Sequence, residues 1–260
     1  MANKGGSGKT TTAINLSSGL VRCGEKVVLI DTDPQRNATI ASGFPREQSF
    51  RRTISDSLIT GDCPPVFGSL NGYSLIPSSI KMAKIENDVN DAEEMVSLFK
   101  GQLEKLEQKF EGFFDFVVFD TTPSIYSKAN IAILLIADYV IIPMEPEYYA
   151  LEGLRTLSSY VSNLPATNRP TILGILFVKN KRRVLYDEII NATTKEYPNL
   201  CFNTMIADSI RIPEAQNRGM DIYRYIETYH PEDKHISDDY QEICNETIKR
   251  ILEHGKQNEK

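Results

Sequence analysis

The chain has 260 residues, of which 41% are hydrophobic and 25% charged, and its net charge is −6. This is ordinary globular composition, long enough for one large α/β domain over residues 1–260 and a tight fit for two. No apolar run approaches the roughly 18 residues that cross a bilayer, and the acidic balance excludes a general polyanion binder, so any nucleic-acid contact has to come from a local basic patch.

The amino terminus opens directly onto Lys4, Gly5 and Gly6 with no apolar stretch ahead of them, so no secretory signal is expected and the cytoplasm is the expected compartment. Short apolar runs then alternate with helical patterns, the sequence sign of βαβ units around a mostly parallel twisted sheet with helices on both faces. A helix is predicted over residues 11–23, a strand over 27–30, irregular chain over 44–52 and 61–72, and a short strand over 73–76. Val89, Ala92, Val96, Phe99, Leu103, Leu106 and Phe110 recur at three- and four-residue steps, which gives a helix with one apolar face. A buried strand over 116–119 ends at Asp120, and a strand over 139–142 leads to a helix over 150–164. Strands over 172–178 and 200–206 flank a helix over 185–196, irregular chain follows over 220–238, and a last helix covers 238–253. Cys23, Cys63, Cys201 and Cys244 form no CxxC pair and lie far in sequence from His230, His235 and His254, so they are expected to be buried or incidental thiols.

The strongest chemical signal is Lys4-Gly5-Gly6-Ser7-Gly8-Lys9-Thr10-Thr11 ahead of a helical pattern. Glycines let the backbone curl so that several N–H groups point at one phosphate, and the helix adds its positive amino end. Lys9 then supplies charge to the β- and γ-phosphates, and the Thr10 hydroxyl is placed to ligate Mg²⁺. Such a loop ordinarily follows a buried strand of about five residues, yet only Met1, Ala2 and Asn3 precede this one; either the first strand is truncated or the natural start lies upstream of Met1, and the upstream start is the favoured expectation. Asp31 and Asp33 follow the strand over 27–30, where an open α/β sheet binds its ligands. They could hold a magnesium water and an attacking water, or Asp31 could simply cap a helix. Asp120 ends an apolar strand, as a Walker B carboxylate does and as a plain cap also does. Lys179-Asn180-Lys181-Arg182-Arg183 puts four cations in five residues after a strand, either a DNA-contacting patch or a solvated loop.

The loop resembles the deviant Walker A motif of the ParA/MinD group of P-loop ATPases, whose form is Lys-Gly-Gly-x-x-Lys-Thr/Ser. The segments from Asp31 to Thr39, from Asp120 to Ser124, from Ala137 to Leu154 and from Ile206 to Gly219 are similar to ParA segments, with Thr122 and Ala207 standing where prolines are usual. The resemblance implies ATP and Mg²⁺ as cofactors, and an ATP-dependent sandwich homodimer in which Lys4 reaches the partner's nucleotide. It implies hydrolysis served by Asp33 with Lys4 and Lys9, the metal near Thr10, Asp31 and Asp120, and nucleotide contacts along Lys4, Gly5, Gly6, Ser7, Gly8, Lys9, Thr10 and Thr11. It also implies an adenine border at Ala207 and Asp208, and DNA contacts by Arg183 and Arg211, with Lys181 and Arg182 contributing less. The function so implied is DNA partition: the ATP dimer holds double-stranded DNA without sequence preference, in the cytoplasm on the nucleoid, until a ParB-like centromere-binding protein stimulates hydrolysis.

Two other functions of related ATPases are weighed against it. A MinD-like, membrane-associated ATPase needs a terminal amphipathic helix with a basic face, whereas Tyr240, Ile243, Thr247, Ile248, Ile251 and Leu252 share their helix with Glu242, Glu246 and Glu253. Packing on the domain and no membrane contact are therefore expected. An electron-transfer ATPase needs cysteines to bridge a cluster, and none lies between Cys63 and Cys201.

Overall fold

A computed structural model describes residues 6–45, 50, 52–110, 112–124 and 126–258. In chain order the elements are α1 (Lys9–Arg22), β1 (Val27–Asp31), α2 (Asn37–Ala41), α3 (Ile54–Thr60), β2 (Phe67–Gly68), β3 (Ser74–Ile76), α4 (Lys81–Asp88), α5 (Ala92–Phe110) and β4 (Phe116–Asp120). There follow α6 (Lys128–Ile136), β5 (Tyr139–Met144), α7 (Ala150–Ser162), β6 (Thr171–Phe177), α8 (Val184–Glu196), α9 (Arg211–Asn217), α10 (Ile222–Tyr229) and α11 (Lys234–Asn258). The α/β class is as expected. β1 pairs in parallel with β3 on one side and β4 on the other, β2 adds an antiparallel edge, and β5 pairs in parallel with β6.

Strand alternation decides which face each side chain enters. Val28 and Ile30 of β1 pack with Ile76, Met95, Phe99 and Ile133 under α4 to α6, while Val27 and Leu29 pack with Ile14, Leu20 and Cys244 under α1 and α11. The far side of β6 repeats the scheme, with Ile175 and Phe177 under α7 and α8 and Leu176 among Tyr223, Tyr240 and Ile243. The first turns of the last helix's apolar face pack on the domain, where Tyr240, Ile243 and Thr247 are buried, while Leu252 near its end is 59% exposed.

Between β4 and β5 no strand lies among the described residues, and a slot of about 530 Å³ runs there, lined by Phe116, Val118, Ile133, Tyr139, Ile141 and Leu173. The strand over 116–119, expected to be buried, is consequently half open, and Val117 keeps 42% of its surface exposed. Residues 1–3, on which the question of a truncated first strand turns, lie outside the described residues.

Other differences have local causes. The expected strand over 200–206 forms only bridges, Cys201 with Ile175 and Ala207 with Asn180. Asn203 leaves the ladder in between, its N–H turning to the Glu246 carboxylate at 3.0 Å. The stretch over 220–238, expected to be irregular, contains α10, which Asp221 caps by accepting the Arg224 N–H at 2.7 Å. The apolar spacing of Ile222, Tyr223, Tyr225 and Ile226 was the available signal. Tyr148 and Tyr149 stand 73% and 79% exposed, stacked edge to face on each other at 4.9 Å between centroids.

Candidate functional site

The site lies at the carboxyl ends of β1, β4 and β6, in a cleft of about 780 Å³. One wall is the loop entering α1. Gly6 and Gly8 both adopt left-handed backbone, at φ 82° and 86°, which a side chain would strain. At Gly8 space forbids one as well, because a Cβ would stand 2.9 Å from Val178 Cγ2. Gly8 is also the cap of α1, so no side chain masks the helix amino end, and no acidic residue occupies its first turn. The free amides and the helix dipole are left for an anion.

Lys9 and Thr10 open the helix over this loop, and Lys9 Nζ donates to Ser7 Oγ at 3.2 Å. Burial pushes the Lys9 ammonium below its ordinary pKa, while the carboxylates of Asp120 and Asp33 hold it up. Asp31 and Asp120 are register partners at the ends of neighbouring strands, and both are buried. Asp31 is fully engaged: Oδ1 accepts the Asp33 N–H at 3.0 Å, and Oδ2 accepts the Thr39 N–H and hydroxyl at 2.8 and 2.6 Å. It therefore holds the amino end of α2, the capping role that remained open for it. Burial nevertheless raises its pKa to about 6. Asp120 is different. Neither of its carboxylate oxygens has a hydrogen-bond partner among the described residues. Burial raises its pKa well above the ordinary range and the charge of Asp31 adds to this. Thr10, close without meeting hydrogen-bond geometry, pulls the other way, as does Lys9. A buried carboxylate with two idle oxygens beside a hydroxyl is a hard-oxygen donor set, which suits Mg²⁺. Asp33 lines the cleft with its Oδ1 accepting the Gln35 N–H at 2.8 Å.

The opposite wall is Ala207, Asp208, Ser209 and the face of α9 carrying Ile212, Pro213 and Gln216. Gln216 Nε2 donates to Thr11 Oγ1 at 2.9 Å and ties the walls together. The structure thus brings Gly6, Ser7, Gly8, Lys9, Thr10, Thr11, Asp33, Ala207 and Asp208 to one cleft. Asp31 and Asp120 do not line it; Lys9 lines both the cleft and, with Asp120, the slot beside β4. Lys4 and Gly5 lie outside the described residues. The basic cluster is a loop at the rim: Arg182 and Arg183 are exposed, Arg183 caps α8, and Lys181 pairs with Asp208 at 3.6 Å. Arg211 is set apart from them, its guanidinium held by Asp233 at 2.7 Å and Glu214 at 3.1 Å with 26% of the side chain exposed. Sequence reasoning did not assign Gln216 or Lys179 to the cleft. Lys179 could have been found by the same strand-end rule that found Asp31.

Comparisons with known proteins agree with this geometry. A family model described as an AAA domain matches residues 1–173. The chromosome partitioning protein ParA of Caulobacter vibrioides is 30% identical over 229 residues, covering 85% of this chain and 84% of that protein. The chromosome-partitioning ATPase Soj of Thermus thermophilus is 32% identical over 228 residues, 86% of each chain. McdA of Cyanothece, solved in complex with ATP, superposes with a TM-score of 0.79 at 23% identity, covering 95% of this chain and 94% of that one, a likeness of fold.

Proposed function

The chain belongs to the ParA/Soj family of P-loop ATPases, and on that premise we propose that it is a Mg-ATP-dependent partition ATPase whose ATP-bound homodimer holds double-stranded DNA without sequence preference. The observation that carries this reading is the cleft shared by Lys9 and Asp33, with Lys181, Arg182 and Arg183 at its rim and, near enough to act on Lys9 through its charge, the Asp120 carboxylate, which has no hydrogen-bond partner among the described residues.

In this reading the N–H groups around Gly6, Ser7 and Gly8 and the amino end of α1 take the β- and γ-phosphates, and Lys9 adds its charge to them. Thr10 and Asp120 hold Mg²⁺, and Asp31 acts from beside them through its charge while it secures α2. Bound there, Mg²⁺ would supply positive charge to the phosphoryl oxygens. Asp33 orients the attacking water, Ala207 and Asp208 border the adenine, and Lys4 completes the site of the partner protomer. Exposed Arg182 and Arg183, doubled by dimerisation, form the DNA patch together with Lys181; Arg211 contributes once its ion pairs release it. A ParB-like centromere-binding protein stimulates hydrolysis and release, and the ATPase works on the nucleoid in the cytoplasm.

The test is DNA binding measured with ATP, ADP and no nucleotide, alongside sedimentation with liposomes. DNA retention with ATP alone is expected. Liposome binding without DNA binding would overturn the reading in favour of a membrane-associated ATPase.

A further inference from the structure

The first residue of the basic cluster does not share its neighbours' situation. Lys179 follows the end of β6 with a left-handed backbone, φ 52°, one of two non-glycine residues with positive φ among those described. That conformation costs on the order of 1 kcal/mol or more for a lysine and persists only where surrounding contacts hold it. Here it turns the side chain back over the phosphate loop. Nζ donates to the Gly6 carbonyl at 2.5 Å and stands 3.4 Å from Glu145 Oε2, which itself accepts from Tyr186 through Oε1 at 3.3 Å.

The residue after it is fastened to the opposite wall. Asn180 N–H donates to the Ile206 carbonyl and the Asp208 N–H donates to the Asn180 carbonyl, each at 2.9 Å, and Lys181 pairs with Asp208. Three consecutive residues therefore join the phosphate loop, the base-side wall and the start of the basic tip. With its ammonium fixed at Gly6, the methylene stem of Lys179 lines the cleft between those walls.

We propose that Lys179 is a positioning residue, a strap that holds the phosphate loop at a fixed distance from the Ala207–Asp208 wall and joins the nucleotide cleft to the Lys181–Arg183 tip. This deepens the nucleotide-binding reading and rests on it. A strap that sets the gap between walls acts on any nucleotide alike, because it touches the loop backbone and not the terminal phosphate. Glu145 anchors the ammonium and is the second member of the device.

The test compares the parent chain with Lys179→Met, which keeps the stem and removes the ammonium, and with Glu145→Gln. Hydrogen exchange without nucleotide at the Thr12 amide, which donates to the Gly8 carbonyl, and at the Asp208 amide, which donates to the Asn180 carbonyl, should rise severalfold in Lys179→Met and less in Glu145→Gln. Affinity for ADP and ATP should fall by a common factor of about ten, the size of a lost charge-assisted hydrogen bond, and KM should rise more than kcat falls. The ATP concentration needed for half-maximal DNA retention should rise by the same factor. Unchanged amide exchange, or a loss for ATP with ADP affinity at the parental value, would overturn the strap; the second result would mark a direct contact to the terminal phosphate. If the parent itself binds no nucleotide, the nucleotide reading has failed, while the exchange measurement still decides whether the strap exists.

Discussion

Asp31 and Asp120 face each other as register partners across the parallel pair of β1 and β4, both buried, yet among the described residues only Asp31 has its carboxylate oxygens engaged. Two neighbouring carboxylates out of water disfavour each other's ionised form. The pair is therefore costly in the ligand-free protein and is relieved by a cation at Asp120. The strand ladder that puts the two side by side is the same feature that makes them a place for a divalent metal.

The first prediction follows from their titration. A folded-state pKa raised above the unfolded value contributes stability that is fully present below the unfolded pKa, near 4, and is lost as pH rises through the folded value. For Asp31 that loss centres on about 6, so ligand-free protein should gain about 1 kcal/mol from this group between pH 7.5 and pH 5. Asp120, also raised, adds in the same direction. Asp120→Asn should flatten the pH dependence, raise the ligand-free Tm at pH 7.5 and abolish the stabilisation by Mg-ATP. Thermal unfolding at the two pH values checks this, and identical slopes in parent and variant would count against it.

The second prediction separates binding from turnover. In the proposed mechanism Lys9 meets the phosphates in the ground state, so Lys9→Ala should lose nucleotide-dependent dimerisation with the fold intact. If Asp33 positions the attacking water, as proposed, it acts in the transition state, so Asp33→Ala should lower kcat by about a hundredfold or more while ATP affinity stays within a few fold. It should trap the ATP dimer. Parental turnover in Asp33→Ala would remove that residue from hydrolysis.

How much of this was legible in the sequence depended on whether one local pattern carried the information. The phosphate loop did, because Gly6 and Gly8 are required by backbone geometry and Lys9 and Thr10 by helix position. Strand-terminal Asp31 and Asp120 were legible as places, but their division of labour was not. It is set by Thr39, eight residues beyond Asp31, and by the absence of any such donor at Asp120 among the described residues. Gln216 meets Thr11 across 205 positions, and Arg211 meets Asp233 across 22. No local spacing foretells either contact. The strand expected over 200–206 failed because Asn203 answers to Glu246, a residue of α11.

The third prediction uses the slot between β4 and β5. It has apolar walls and the flanking strand edges are unpaired with each other, a state that sheets avoid. It also lies beside Lys9 and Thr12, next to the loop that a parallel strand would feed. Five or six β-branched residues joined ahead of Met1 should therefore enter it as a strand, raising Tm by on the order of 10 °C if the net gain is a few kcal/mol, and reducing the exposure of Val117. Thermal unfolding and hydrogen exchange along residues 116–120 would measure it. An extension that leaves both unchanged would show that the slot accepts no strand.

The last prediction concerns the basic tip. Arg182 and Arg183 are exposed and Arg183 lies 5.9 Å from the Tyr186 ring, whereas Arg211 is held between Asp233 and Glu214. Each phosphate contact contributes about −0.9 to the slope of log affinity against log salt. Arg183→Glu, removing one contact from each protomer of a dimer, should therefore make the slope shallower by about 1.8 and weaken DNA binding equally across sequences. ATP binding and dimerisation should persist, since the substitution leaves Lys179 and Asn180 in place. Arg211→Glu sets a like charge against two carboxylates that now accept from it, so its first effect should be a lower Tm, with a smaller change in salt slope. Lys181→Gln frees Asp208 and should change both DNA and nucleotide affinity modestly. Binding isotherms at several salt concentrations with ATP present distinguish these outcomes. A parental slope in Arg183→Glu would make the cluster a solvated loop, and an undiminished Tm in Arg211→Glu would show that its ion pairs contribute nothing to the fold.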